Sequence, residues 1–284
     1  MGDQTFRNFE IVIVDDNCDP KWNKQVQQIV EGCRASLREQ TIHYICNSSQ
    51  MGSAAARNIG VGASKGEYIT FLDDDDEYLP EKIYNQLTFM ENEGLDYSIT
   101  DLDLYFENGR LSEHRNRSYI KSTDTHMLLT YHLMYHMTGT DTIMMTKAYF
   151  ERIGGFPPID VGDEFYLMVR AIEANGRFGY LPVCDVRAYV HVGEGGLSSG
   201  EGKIAGQKRI FDFKKQFFHQ LDRKSIRYIK MRHFAVLCFA GIRMGNYWIF
   251  VKYGFLGFIS APIQCIQMLL KKKKKTETNQ VVYN

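Results

Sequence analysis

Four consecutive aspartates, Asp73 to Asp76, follow the apolar run Tyr68-Ile69-Thr70-Phe71-Leu72. Like charges about 4 Å apart repel by a few kcal/mol at an effective dielectric near 20, so such a run is costly to hold together. A divalent cation relieves that cost, and hard carboxylate oxygens suit Mg²⁺ or Mn²⁺. A second acidic pair, Asp15-Asp16, ends the run Ile11–Val14. Open α/β sheets bind ligands outside the carboxyl ends of their strands. Two acidic strand ends on one rim therefore describe a metal-assisted site for a phosphorylated ligand; the plainer alternative is a solvated acidic loop. A third pair, Asp163-Glu164, opens a helical pattern, where acids also simply complement the helix dipole.

These acids need a scaffold. Ile11–Val14 reads as a buried strand of a parallel sheet, Trp22–Glu39 as a helix and Ile42–Cys46 as a second strand. Ser53–Ser64 is a helix of small residues able to approach a sheet closely, and Glu67–Leu72 is a third strand. Pro80 and Gly94 bracket the next helix in the usual asymmetric way. Beyond it, Tyr97–Phe106 alternates like one strand, Thr123–Tyr135 is helical, and Ile143–Thr146 is a strand. Ala148–Ile153 and Glu164–Asn175 read as helices, Phe178–Leu181 and Val186–Val192 as strands, and Gly193–Gly202 as a Gly/Ser loop. Alternating strands and helices with short connections specify an α/β layered fold.

Composition is that of a globular chain: 284 residues, 44% apolar and 13% aromatic, too aromatic for a disordered segment. The six cysteines are dispersed without CxxC spacing, which argues against a zinc or disulfide scaffold and for a reducing, cytoplasmic setting. No basic and apolar leader opens the chain. The zero net charge averages two opposite halves. Residues 203–284 carry 17 Lys and Arg against three acids, leaving the first 202 residues strongly acidic. The basic part holds two amphipathic helices, the aromatic stretch Tyr247–Leu270 and the run Lys271–Lys275. Lys252, Pro262, Gln264 and Gln267 interrupt the apolar stretch, so an in-plane helix or hairpin on an anionic membrane surface fits better than a span. Nucleic-acid binding is not expected, because the positive charge accompanies apolar residues rather than a reading module. Two domains are expected, residues 1–202 and a basic helical extension, residues 203–284.

Four motifs in order carry a family resemblance: Phe9–Asp16; Gly52-Ser53-Ala54-Ala55-Ala56-Arg57-Asn58; Gly66 through Asp76; and Ile153-Gly154-Gly155-Phe156 leading to Gly162-Asp163-Glu164. Together they resemble the family 2 glycosyltransferases of GT-A fold, bacterial surface-polysaccharide type. The resemblance implies that Asp15 and Asp16 contact the nucleotide, that Arg57 lies beside it and that Asp74 faces the ribose. Asp73 and Asp75 match the outer carboxylates of the family's Asp-x-Asp motif, the last of which binds the metal, Mn²⁺ or Mg²⁺. Glu164 or Asp163 matches the general base of an inverting reaction; the family more often has these two acids in the opposite order. His191 is a candidate to complete the metal or diphosphate contacts or, equally, a strand-edge histidine. His114, His126, His132 and His136 read as structural.

The resemblance implies a metal-dependent inverting transferase. Its donor would be a nucleotide-diphosphate sugar, UDP-linked, and its acceptor a glycan or lipid-linked glycan at the inner face of the cell membrane. The family's opening strand and the turn after it are not among the matching segments. On this reading the chain is N-terminally truncated, and each buried backbone group so orphaned costs about 1–3 kcal/mol. That motivates the alternative of a non-catalytic remnant or a partner subunit at the membrane.

Overall fold

The computed structural model describes residues 1–37, 40–159, 161–190 and 200–266. In chain order the elements are β1 (Glu10–Asp15), α1 (Pro20–Ser36), β2 (Thr41–Cys46), α2 (Ser53–Ala63), β3 (Tyr68–Thr70), β4 (Glu77–Tyr78) and α3 (Lys82–Glu93). They continue with β5 (Tyr97–Thr100), β6 (Leu102–Phe106), β7 (Leu111–Arg115), α4 (Thr125–Tyr135), β8 (Ile143–Thr146), α5 (Lys147–Arg152) and α6 (Asp163–Glu173). The last are β9 (Phe178–Leu181), β10 (Val186–Val190), α7 (Gly200–Lys215), α8 (Arg223–Arg243) and α9 (Tyr247–Ser260). Two compact units result: residues 1–132 with 136–193, and residues 133–135 with 194–284.

In the first unit the strands form three sheets, ordered β1-β2, β4-β10-β6-β7 and β3-β8-β5-β9. β1 and β2 are parallel, Glu10 opposite Thr41 through Asp15 opposite Cys46. β1 was expected to be buried, yet it is half-buried except at Asp15. Its pairing explains this: among the described residues it pairs with β2 alone, and β3 pairs with β8 alone. The small-residue helix α2 does come close, an added Cβ on Gly60 lying 3.4 Å from Val14.

The single strand expected over Tyr97–Phe106 is two strands in two different sheets. The chain changes sheets at Asp101, whose backbone N–H donates to Val183 O at 3.0 Å. One polar residue moving between sheets leaves the alternation of the sequence intact, which is why periodicity does not reveal the break. β4 and β7 were not foreseen: β4 has two residues, and β7 is an edge strand of mostly polar side chains. The core lies on β5 and β8, where Tyr97, Ile99, Ile143 and Met145 are fully buried, and on the inward face of α6. Tyr97 stacks on Tyr149 at 5.4 Å. Gly94 closes α3 in the left-handed region (φ 59°), as its position after the helical pattern predicts.

In the second unit α8 and α9 pack as a hairpin through Gly245 (φ 64°). No described helix is long and apolar enough to cross a membrane.

Candidate functional site

Arg57, on the second turn of α2, ties together three segments that are remote in sequence. Its guanidinium donates to Asp73 at 2.6 Å and to Asp163 at 2.7 Å. It also lies 5.5 Å from the ring of Phe156. Burial would lower its pKa, but Asp73 and Asp163 more than compensate and hold the charge on. Its neighbour Asn58 clamps the Gly-Gly-Phe segment: Nδ2 donates to Phe156 O at 2.8 Å, and Oδ1 accepts from Phe156 N at 3.0 Å. Glycine at 155 is obligatory there, since an added Cβ would sit 2.6 Å from Asn58 Oδ1 with φ at +60°.

The aspartate run forms a tight turn, Asp76 N donating to Asp73 O. Asp74 and Asp75 are exposed at its tip, while Asp73 and Asp76 turn inward. A buried acid meets them: Asp141, in the 3-10 turn Thr140–Thr142 before β8. Its Oδ1 accepts from Asp73 N at 2.7 Å. Carboxylate oxygens of Asp73, Asp76 and Asp141 lie within 4.8 Å of one another. Burial, and then the neighbouring Asp141, push Asp76 upward; burial, and then Asp73, do the same to Asp141. Three hard carboxylate donors converging here, two of them with proton affinity raised by burial and by their acidic neighbours, fit a divalent cation.

Beneath this group, fully buried Lys82 donates to Thr70 Oγ1 at 2.6 Å and caps the Tyr78 ring at 4.0 Å. Burial lowers its pKa to about 7, against the opposing pull of Asp141. The Tyr78 hydroxyl contacts Phe71 O, Asp141 O and Thr70 Oγ1, fixing the turn that carries Asp141.

At the start of α6, behind Gly162 in the left-handed region, the two acids hydrogen-bond to each other and take different outer partners. Asp163 is buried against Arg57, and burial raises its pKa to about 6 despite that cation. Glu164 instead meets His136, Oε1 to Nε2 at 2.9 Å, and burial raises it as well.

Asp15 and Asp16 shape the loops at the end of β1. Asp15 accepts from Tyr44 OH at 2.6 Å and from Asn17. Asp16 accepts from Asn47 Nδ2 and from the N–H groups of Met51 and Gly52. Burial works against its charge, but those donors prevail and lower its pKa.

Arg57, Asp73 and Asp163 are thus joined directly, with Glu164 beside Asp163. Asp15 and Asp16 are held on their own loop, and His191 lies outside the described residues. Sequence reasoning did not single out Asp141 or Lys82, and it gave Asp76 no role beyond the acidic run. It also took His136 as structural. No motif marks them; only the turn before β8 and the helix α4 bring them here. His114 Nδ1 lies 2.6 Å from Asp103, with Cys184 nearby.

The family model for glycosyl transferase family 2 matches residues 2–153. An uncharacterized glycosyltransferase of Rickettsia bellii is 33% identical over 113 residues, 40% of this chain and 15% of that protein. The Escherichia coli UDP-Glc:alpha-D-GlcNAc-diphosphoundecaprenol beta-1,3-glucosyltransferase WfaP is 37% identical over 99 residues, 34% of this chain and 36% of that protein. Each match thus spans well under half of the relative's length. The crystal structure of Staphylococcus aureus TarS 1-349 in complex with UDP-GlcNAc superposes with a TM-score of 0.57 at 18% identity. That superposition covers 93% of this chain and 76% of the TarS chain, and it shows a shared GT-A fold.

Proposed function

Because the chain belongs to glycosyl transferase family 2, we propose that it moves a sugar from a UDP-sugar to an acceptor hydroxyl with inversion. The acceptor is a glycan or lipid-linked glycan of cell-surface polysaccharide synthesis, worked on at the cytoplasmic face of the membrane. The relative WfaP, whose name specifies a UDP-Glc donor and a diphosphoundecaprenol-linked acceptor, supports that choice of substrates. The TarS complex with UDP-GlcNAc supports the donor class.

Asp73, Asp76 and Asp141 would hold a divalent Mn²⁺ or Mg²⁺; Asp75, which the family resemblance makes a metal ligand, lies at the turn's exposed tip. Bound there, the cation would neutralise the charge developing on the departing diphosphate. Asp15 and Asp16, on the β1 rim, receive the nucleoside, and Asp74 the ribose. Glu164 is the base. Its carboxylate takes the acceptor's proton as that oxygen bonds to the anomeric carbon and the bond to the diphosphate breaks, UDP leaving with the electron pair. A raised pKa suits this task, and His136 orients the carboxylate. Asp163, anchored by Arg57, positions Glu164 rather than accepting the proton.

The observation that carries this reading is the Arg57 bridge, which fastens the aspartate turn to the acid pair at the start of α6. Calorimetry of UDP with and without Mn²⁺ tests it. Manganese-dependent binding that is lost in Asp73→Asn is the expected result; metal-independent binding, or none, would overturn the proposal.

A further inference from the structure

Among the described residues, the second unit exposes an apolar surface on α9. Residues of α9 advance 100° each, so Tyr247, Trp248, Val251, Phe255, Phe258 and Ile259 fall on an arc of about 120°. All six are exposed, Trp248 at 84% and Tyr247 at 81%. The opposite face of α9 packs on α8: Tyr253 stacks on Phe234 at 6.0 Å, and Gly257 faces Phe234 closely enough that an added Cβ would lie 3.5 Å from Phe234 Cβ. One side of the helix therefore packs partly buried on α8 and the other is aromatic surface, a segregation that marks an interaction site. At 14 residues α9 is about 21 Å long, too short for a bilayer core of about 30 Å.

Charge identifies the occupant. Beside the far end of α9, a 440 Å³ cleft is lined by Arg223, Lys224, Arg227, Pro262, Ile263 and Gln264, three cations without an acid. Arg223 and Lys224 lie in the first turn of α8, at the positive end of its dipole, and that turn contains no acidic residue. Asp222, the N-cap of α8, answers one of these charges: it accepts from Ser225 N at 2.7 Å, and that bond together with Lys224 holds it ionised, so the three cations keep a net positive charge. Ile263 is 69% exposed and continues the apolar surface to the rim of the cleft.

We propose that α9 lies in the plane of an anionic phospholipid surface, its aromatic arc in the acyl boundary, with Arg223, Lys224 and Arg227 facing the net negative charge of that surface. This rests on the peripheral-membrane reading above and assigns the residues and the lipid charge it requires.

The test is cosedimentation of the full chain with vesicles of equal parts phosphatidylglycerol and phosphatidylcholine, and with phosphatidylcholine alone. Preferential binding to the anionic vesicles is expected. Trp248→Ser with Phe255→Ser should abolish binding to both. Arg223→Gln with Lys224→Gln should weaken binding to the anionic vesicles about thirtyfold, from about 1 kcal/mol for each charge near the surface, and leave phosphatidylcholine binding unchanged. Equal affinity for both vesicles would overturn the proposal, since net lipid charge would then play no part. A chain that binds neither, but forms a dimer dissolved by Trp248→Ser, would show a second copy on this face and overturn the proposal. UDP calorimetry on the same samples separates the readings: vesicle binding lost with UDP binding intact refutes only this inference, and the reverse refutes only the transferase.

Discussion

Replacing Arg57 with methionine keeps most of its side-chain volume and deletes the charge between Asp73 and Asp163. The two partners differ in exposure: the side chain of Asp163 is 6% exposed and that of Asp73 38%. Losing the contact to Asp73, which water can replace, costs about 1 kcal/mol at most. Stranding a buried carboxylate costs about 3–5 kcal/mol if it stays ionised. Asp163 can escape that cost by binding a proton. Its folded pKa, about 6, already exceeds the ordinary 3.8 because burial outweighs Arg57. In the native protein this group's contribution to stability is complete below pH 3.8 and is lost as pH rises through about 6. Without Arg57 the folded pKa climbs further, so the loss continues above 6. The variant should thus be less stable than the parent by about 1 kcal/mol near pH 5 and about 3 kcal/mol near pH 8. The sequence has two tryptophans, so Trp22 fluorescence in a Trp248→Phe background reports urea unfolding of the first unit alone. A stability difference independent of pH, or below about 0.5 kcal/mol near pH 8, would refute the role given to Arg57.

Asp141→Asn keeps an acceptor for Asp73 N but removes one of three converging charges; it should stabilise the metal-free protein near neutral pH and cut Mn²⁺-dependent UDP affinity at least about tenfold, by denaturation and calorimetry. Glu164→Gln should lower kcat about a hundred- to ten-thousandfold while UDP binding persists, measured as UDP release in the presence of acceptor. His136→Gln should shift the limb of the kcat pH profile set by Glu164, which an unchanged profile would contradict. Gly155→Ala should destabilise the first unit by about 2–4 kcal/mol, because the new Cβ meets Asn58 at 2.6 Å in a left-handed backbone; its urea midpoint checks this.

The order of elements was largely legible in the sequence, because β1, α2, α3, β8 and α6 are each specified by a local pattern of apolar residues and glycines. So was the list of acids at strand ends, since charge repulsion at Asp73–Asp76 is visible without coordinates. The sheet switch at Asp101 and the edge strand β7 were not legible: pairing partners are chosen by hydrogen bonds between distant segments, and polar edge residues carry no periodic signal. The same reason limits the site. Sequence alone showed acids gathered at strand ends, and the family resemblance set Arg57 beside the nucleotide. Tertiary structure decided which carboxylates converge, pairing Asp73 and Asp76 with Asp141, from a turn 65 residues beyond Asp76. It also gave Asp163 and Glu164 different partners, because adjacent residues on a helix point about 100° apart and so meet different neighbours, Arg57 and His136.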